Sequence, residues 1–250
     1  MTSKEQSRAA SRTTAEASKE QAAVASVDLV KSGMTLGLGT GSTATLIVRE
    51  IGRRVRDGRL RDVRGVPTSK AIGHVAREEG IPLVSLEDVP QVDLTLDGAD
   101  EVDPAWNLIK GGGGSLLREK IVAQATRVQV IVIDESKLVS RLGERMPLPI
   151  EVVPFGWSTH LEFLRSLGGE PRLRRTDAGT PFVTDEGNFT LDLGFVEDRG
   201  LTQLADPLRL DALLCTRAGV IDTGLFLGMT SVLVIGRTAG VEILRPEREP

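Results

Sequence analysis

Apolar and polar positions along this chain follow one rhythm for about half its length and then change to another. From residue 19 the apolar spacing is helical as far as a stop at Gly33. Residues 34–39 read as a strand, 40–43 as a turn and 44–54 as a helix. A second strand at 63–66 runs through Pro67-Thr68-Ser69 into a helix that ends at Gly80. Strands follow near 81–84, 92–96 and 128–133, the last being Val128-Gln129-Val130-Ile131-Val132-Ile133. Between the last two, residues 115–123 have helical spacing, with Ser115 placed as the cap. Strand and helix alternate and the strands are apolar, which predicts an α/β fold: a mostly parallel sheet with helices on both faces.

The rhythm changes near residue 143. Pro147, Pro149 and Pro154 flank a short strand, and residues 158–167 have helical spacing. Phe182-Val183-Thr184 and Asn188-Phe189-Thr190-Leu191-Asp192-Leu193 then alternate around Asp185-Glu186-Gly187, which has the composition of a hairpin turn. A helix near 206–217 completes a strand–helix–hairpin–helix unit, and Ser231-Val232-Leu233-Val234-Ile235 restores the first pattern. The expected organisation is a Rossmann-like domain from 19–142 and 219–250, with a smaller α+β (ferredoxin-like) domain at 143–218. Residues 1–18 are rich in Ser, Thr, Ala, Lys and Arg without apolar spacing, and a disordered, frayed tail is expected there. No apolar stretch follows their basic residues, so a secretory signal is not expected.

Composition narrows the chemistry. Charged side chains make up 26% of the 250 residues and the net charge is −4, which speaks against non-specific nucleic-acid binding. No apolar run approaches the length of a membrane span. The single cysteine, Cys215, excludes an internal disulfide and a cysteine-rich zinc site and accords with a reducing, cytoplasmic setting. His74 and His160 are the only histidines and tyrosine is absent, so proton transfer falls to carboxylates and lysines. Both histidines stand near charged residues at helical positions and read as solvated; Trp106 and Trp157 read as packing residues.

Two stretches carry candidate chemistry. Asp97-Gly98-Ala99-Asp100-Glu101 places three carboxylates at the exit of a strand, where open α/β sheets bind ligands. Lys110 and four glycines then lead into the capped helix that holds Glu119, and a glycine run at a helix entrance lets backbone N–H groups approach an anion. The alternative is a solvated acidic turn and a plain linker. Earlier, Gly39-x-Gly41-x-x-Ala44 satisfies the relaxed dinucleotide fingerprint, but no acidic residue ends the second strand to hold a ribose. No lysine follows these glycines as a nucleotide P-loop requires. What remains is a turn of small hydroxyl residues and exposed N–H groups, suited to one phosphate monoester, or an ordinary capped βα turn. Asp97 and Asp100 could jointly hold a divalent metal, but no further ligands are evident nearby.

The order and spacing of these motifs resemble the type A ribose-5-phosphate isomerases. The resemblance rests on Gly39-Thr40-Gly41-Ser42-Thr43, Asp97-Gly98-Ala99-Asp100-Glu101, Lys110-Gly111-Gly112-Gly113, Arg118-Glu119-Lys120 and Asp134-Glu135-Ser136-Lys137. It continues through Pro147-Leu148-Pro149-Ile150-Glu151-Val152, Val183-Thr184-Asp185-Glu186-Gly187-Asn188 and Gly219-Val220-Ile221, covering the chain from about residue 19 onward. Two departures stand out: a longer N-terminal tail, and Glu135 where a small residue is common, next to the environment of Lys137.

The resemblance implies interconversion of ribose 5-phosphate and ribulose 5-phosphate in the pentose phosphate pathway, with no metal or organic cofactor, by a homodimer or dimer of dimers. It assigns the base to Glu119 and further catalytic roles to Asp97, Asp100 and Lys110. Sugar-phosphate contacts go to Thr40, Gly41, Ser42, Thr43, Gly98, Ala99, Gly111, Gly112, Gly113, Lys137 and Lys19. On the residues alone, Lys137 reads equally as a solvated loop lysine and Lys19 as a surface residue, while Arg118 and Lys120 read as salt-bridge partners. Two rivals are a sugar-phosphate-sensing regulator, which needs a helix-turn-helix that residues 1–18 are too short to supply, and a coenzyme A transferase, which needs a longer acceptor-binding half.

Overall fold

The computed structural model describes residues 3–195 and 206–246. In chain order the first elements are α1 (Ser3–Ser26), β1 (Thr35–Leu38), α2 (Ser42–Arg56), β2 (Arg64–Pro67), α3 (Lys70–Glu78) and β3 (Val92–Asp97). There follow β4 (Glu101–Val102), β5 (Leu108–Ile109), α4 (Leu116–Gln124), β6 (Thr126–Asp134), β7 (Leu148–Val152), α5 (Thr159–Ser166) and β8 (Gly169–Leu173). The chain continues with β9 (Phe189–Phe195), α6 (Pro207–Cys215), β10 (Val220–Thr223), β11 (Leu225–Phe226), β12 (Val232–Arg237) and β13 (Gly240–Leu244).

Two compact units share these elements. The first is Met1–Gly98, Val122–Lys137 and Thr230–Pro250; the second is Ala99–Ile121 and Leu138–Met229. These limits differ from the boundaries expected at 143 and 219, because residues 99–121, 138–142 and 219–229 group with the smaller unit. Short strands are the reason. β4, β5 and β11 form a three-stranded sheet of their own, and two-residue strands carry no readable periodicity.

In the first unit six strands run in the order β13-β12-β6-β3-β1-β2, parallel except for β13 against β12. Leu36, Leu38, Leu94, Leu96, Val130, Val132 and Val234 belong to one buried cluster with Ile47, Ile51 and Ile72 of α2 and α3. Val66, Val92 and Val122 form a separate cluster. Between them the strands are buried on both faces, as the apolar runs predict. Gly37 lets α4 come close, since a Cβ there would fall 2.8 Å from Val122 Cγ1. The strand expected at 81–84 shrinks to one bridge, Gly65 to Leu83. α1 begins at Ser3 and so includes residues 3–18, where the sequence led us to expect a disordered tail. Ala, Glu, Gln and Lys there favour a helix without any apolar stripe; its later turns pack on β6 and β12.

The second unit contains β7-α5-β8-β9-α6-β10, a βαββαβ succession whose antiparallel sheet has the order β10-β7-β9-β8. This is the ferredoxin-like arrangement. Ile150, Leu164, Leu191, Leu193, Leu210 and Leu214 meet in its core. The 182–193 hairpin differs from expectation. Its turn forms, with Gly187 at φ 83 and Thr184 N–H donating to Asn188 O at 2.9 Å, but residues 182–184 contribute a single bridge. β9 instead pairs along its length with β7 and β8.

Candidate active site

The first unit's sheet has a switch point between β1 and β3, because the chain leaves β1 for β2 on one side and returns to β3 on the other. Ligands of open α/β sheets bind outside the carboxyl ends of strands at such a point. Here β1 leads into Gly39-Thr40-Gly41 and directly into α2, whose first residue is Ser42, so Ser42 and Thr43 already lie in the first helical turn. Gly41 caps that helix at φ 104, which favours glycine, and no side chain caps the N–H groups behind it. Gly41 and Ser42 are exposed. Lys19 Nζ donates to Ser42 Oγ at 3.3 Å, which brings this lysine to the turn. The Thr40 hydroxyl sits 2.8 Å from that of Thr68 and 2.9 Å from that of Ser69, tying the exits of β1 and β2 together.

Asp97 ends β3 beside this turn and is 1% exposed. Its Oδ1 accepts from Thr40 N at 3.2 Å and from Gly98 N at 2.8 Å. Gly98 lies against Thr43, whose Cβ would be 3.7 Å from a Cβ placed at 98; Ala99 is half-buried. At the end of β6, Lys137 is half-buried and its ammonium makes no hydrogen bond or ion pair with the described residues. Glu135 is engaged elsewhere: its carboxylate lies 3.5 Å from Arg237 Nη1 and accepts from Thr238 Oγ1 at 3.4 Å.

The second unit holds the other candidates. Asp100 is half-buried, and its Oδ2 accepts from Gly112 N at 2.8 Å. A Cβ on Gly112 would fall 2.9 Å from Asp100 Oδ1, so the close approach needs glycine. Gly111 and Gly114 take φ values of 104 and 79, and Gly113 is exposed between them. Lys110 and Glu119 come together: Nζ and Oε1 lie 3.4 Å apart, with the residues 3% and 5% exposed. Glu119 N donates to Ser115 O at 3.0 Å as α4 begins. The Phe226 ring lies 5.5 Å from Lys110 Nζ and 5.0 Å from Lys120 Nζ. A buried base beside a buried ammonium can accept a proton and steady an oxyanion.

Several neighbours carry structure rather than chemistry. Arg118 pairs with Glu186, and Lys120 with Asp222 at 2.6 Å, as the sequence suggests. Trp157 packs in the second unit's core. His74 is exposed beside Glu78, but His160 corrects the expectation of a solvated residue. It is 2% exposed, its Nδ1 accepts from Arg217 Nε at 3.0 Å, and burial, with the Arg217 charge, lowers its pKa. The charged Glu162 two residues on concealed an inward-facing position.

Two sets of contacts escaped sequence reading, those of Glu101, which the sequence placed only among the carboxylates at the strand exit, and those of Arg174. Glu101 is buried and accepts from Gly143 N, Arg145 N and Met146 N at 2.6, 2.6 and 2.7 Å, fixing a loop through three backbone donors. Arg174 donates to the carbonyls of Gly111 and Gly112. No local signal marks either contact. For metals, Asp211, Cys215 and Asp222 bring ligand atoms within 4.8 Å of one another. Lys120 already pairs with Asp222, and the Cys215 thiol is pushed up to about 11 by burial and by Asp211 and Asp222. Among the described residues, no helix is long and apolar enough to cross a membrane.

A family model of ribose 5-phosphate isomerase A (phosphoriboisomerase A) matches residues 64–240. Ribose-5-phosphate isomerase A of Roseiflexus sp. (strain RS-1) is 52% identical over 223 residues, covering 89% of this chain and 93% of the relative. The ribose 5-phosphate isomerase A structure from Methanocaldococcus jannaschii is 40% identical, with a TM-score of 0.85 over 92% of this chain and 99% of that one. A D-ribose-5-phosphate isomerase solved in complex with phospho-erythronic acid is 37% identical, with a TM-score of 0.86 over 92% and 99%. On the match of the family model over residues 64–240 and on these relatives, the chain belongs to the ribose 5-phosphate isomerase A family of isomerases.

Proposed function

We propose that this chain interconverts D-ribose 5-phosphate and D-ribulose 5-phosphate through an enediolate, with Glu119 as general base, in the pentose phosphate pathway. The observation that carries the reading is the Lys110–Glu119 pair, both buried and 3.4 Å apart. Glu119 takes the C2 proton of the open-chain aldose, the C2–H electrons form a C1=C2 bond, and O1 gains the negative charge. The same carboxylate returns the proton to C1, while the O2 proton ends on O1 and C2 becomes the carbonyl. Base action of this kind supplies about 10²–10⁴ in rate. Lys110 and the glycine N–H groups offset the oxyanion, and Asp97 and Asp100 take up hydroxyl protons and hold the open sugar.

The 40–43 turn, the N-terminus of α2, Lys137 and Lys19 receive the phosphate in this scheme. Support comes from the exposed Gly41 and Ser42, the uncapped helix start and the Lys19–Ser42 contact. The related isomerase solved with phospho-erythronic acid gives further support, since a phosphorylated polyhydroxy acid offers a planar, charged end like that of an enediolate. The scheme uses no metal and no organic cofactor, Lys110 being the electrophile. It places the protein in the cytoplasm as a homodimer or dimer of dimers. In deuterated water, ribose 5-phosphate should yield ketose and acquire deuterium at C2, followed by proton NMR, with activity retained after chelation. Absence of ketose overturns the reaction; ketose formation with no deuterium at C2 of the re-equilibrated ribose 5-phosphate indicates a hydride shift and overturns the enediolate.

A further inference from the structure

We infer that Arg174 is a positioning residue for the reaction, turning the Gly111-Gly112-Gly113 backbone so that the Gly113 N–H faces the reacting sugar oxygens. Arg174 Nη1 donates to Gly111 O at 2.8 Å and to Gly112 O at 3.2 Å. The rest of the guanidinium is held by Asp192 of β9, through Nε to Oδ2 at 2.9 Å and through Nη2 to Oδ1. Phe182 lies 5.8 Å from the guanidinium and fills the space against Gly114, where a Cβ would fall 2.4 Å from the ring. Arg172 and Arg175, its neighbours in sequence, are exposed, whereas the Arg174 side chain is 15% exposed.

A run of glycines has wide backbone freedom; here Gly114 N donates to Gly111 O at 3.0 Å and closes a turn from within, and Arg174 fixes its orientation from outside. In a trans peptide the C=O and N–H lie on opposite edges of one plane. The oxygen of Gly111 shares its plane with the N–H of Gly112, and the oxygen of Gly112 with the N–H of Gly113. Capture of both oxygens on one guanidinium therefore directs both N–H groups away from Arg174. The first of these is already engaged, since Gly112 N donates to Asp100 Oδ2 at 2.8 Å. The Gly113 N–H is the donor left to the oxyanion. Donors of this kind accelerate a reaction because they are oriented before the charge develops.

The inference rests on the proposed isomerisation with Glu119 as base. Turnover by the wild type and its loss in Glu119→Gln test that reading separately, so the Arg174 variants are read as ratios to an active wild type. Rates are measured with ribose 5-phosphate and normalised to folded protein by circular dichroism. Arg174→Ala is expected to lower kcat about 10²-fold, the scale of a lost oxyanion donor, while KM stays within about threefold. Arg174→Lys, which cannot grip Asp192 and both carbonyls together, should lose about tenfold in kcat with KM unchanged. Added guanidinium ion should raise kcat of Arg174→Ala and leave the wild type unaffected. A kcat within about threefold of wild type in folded Arg174→Ala overturns the assignment. So does a loss that falls on KM alone, or one that guanidinium does not relieve. If Arg174→Ala does not fold, Arg174→Lys decides, and wild-type kcat in that variant overturns the inference.

Discussion

A Cβ built on Gly39 would sit 2.1 Å from Asp97 Oδ1 and 2.2 Å from its Cγ, so the carboxylate of Asp97 occupies the volume that a side chain at position 39 would need. The glycine at this strand exit thus serves the acid on the neighbouring strand, not only the turn that follows. That carboxylate also accepts the N–H of Thr40, the residue after Gly39. Gly39→Ala should push Asp97 from its donors and destabilise the fold by about 1–3 kcal/mol, the range for overpacking a filled core. Thermal melts and kcat together check this; an unchanged Tm with full activity would contradict the packing.

Glu119→Gln should abolish isomerisation and leave binding of inorganic phosphate nearly unchanged. The amide keeps the size and an oxygen near Lys110 but cannot accept the C2 proton, so a loss of about 10²–10⁴ in kcat is expected. Turnover within about tenfold of wild type would remove Glu119 from the role of base. Initial rates and phosphate titration provide the two readouts.

Lys137→Ala should raise KM for ribose 5-phosphate by ~10- to 100-fold, the worth of a hydrogen bond to a charged group. It should also weaken inhibition by inorganic phosphate. Free ribose should be a very poor substrate of the wild type, and its turnover should change little in the variant. The phosphate does not react, yet its binding energy orients the sugar, so kcat should fall as well. Equal damage to ribose and ribose 5-phosphate would move Lys137 to the reacting carbons.

Glu151 gives a prediction about pH. It is buried on β7, and burial pushes its pKa above the ordinary 4.5 despite hydrogen bonds from Asn188 and Thr184; Glu186 and Asp222 push the same way. The folded state therefore holds this proton more tightly than the unfolded state. The resulting stability is fully present below the unfolded pKa and is lost as pH rises through the folded one. Glu151→Gln keeps an oxygen to accept from Thr184 Oγ1 and Asn188 Nδ2, each now 2.9 Å from Oε1, and carries no charge. It should raise Tm near pH 8, with the gain shrinking towards pH 4.5; about 1 kcal/mol would appear as roughly 2–4 °C. A Tm difference independent of pH would show that the charge of Glu151 is not the cause.

The sequence by itself determined the parallel sheet and the residues at its exits. The apolar runs at 92–96 and 128–133 need cover on both faces wherever they fold, and the glycines at 39, 41, 111, 112 and 114 mark places where the backbone takes a positive φ or approaches a neighbour closely. Those signals are local, and they suffice to name Asp97, Asp100 and Lys110 as candidates; the family resemblance adds Glu119. Tertiary structure alone decided the rest. β4, β5 and β11 are strands only because each finds a partner, and β9 prefers β7 and β8 to the nearer residues 182–184. His160 turns inward because Arg217, 57 residues away, meets its Nδ1. Arg174 reaches the glycine loop across 63 residues of sequence, and Glu101 reaches the loop at 143–146 across 42 or more. Periodicity reports how a residue is placed on its own element. Which distant donor or acceptor satisfies it depends on how elements pack, and no spacing within one segment encodes that.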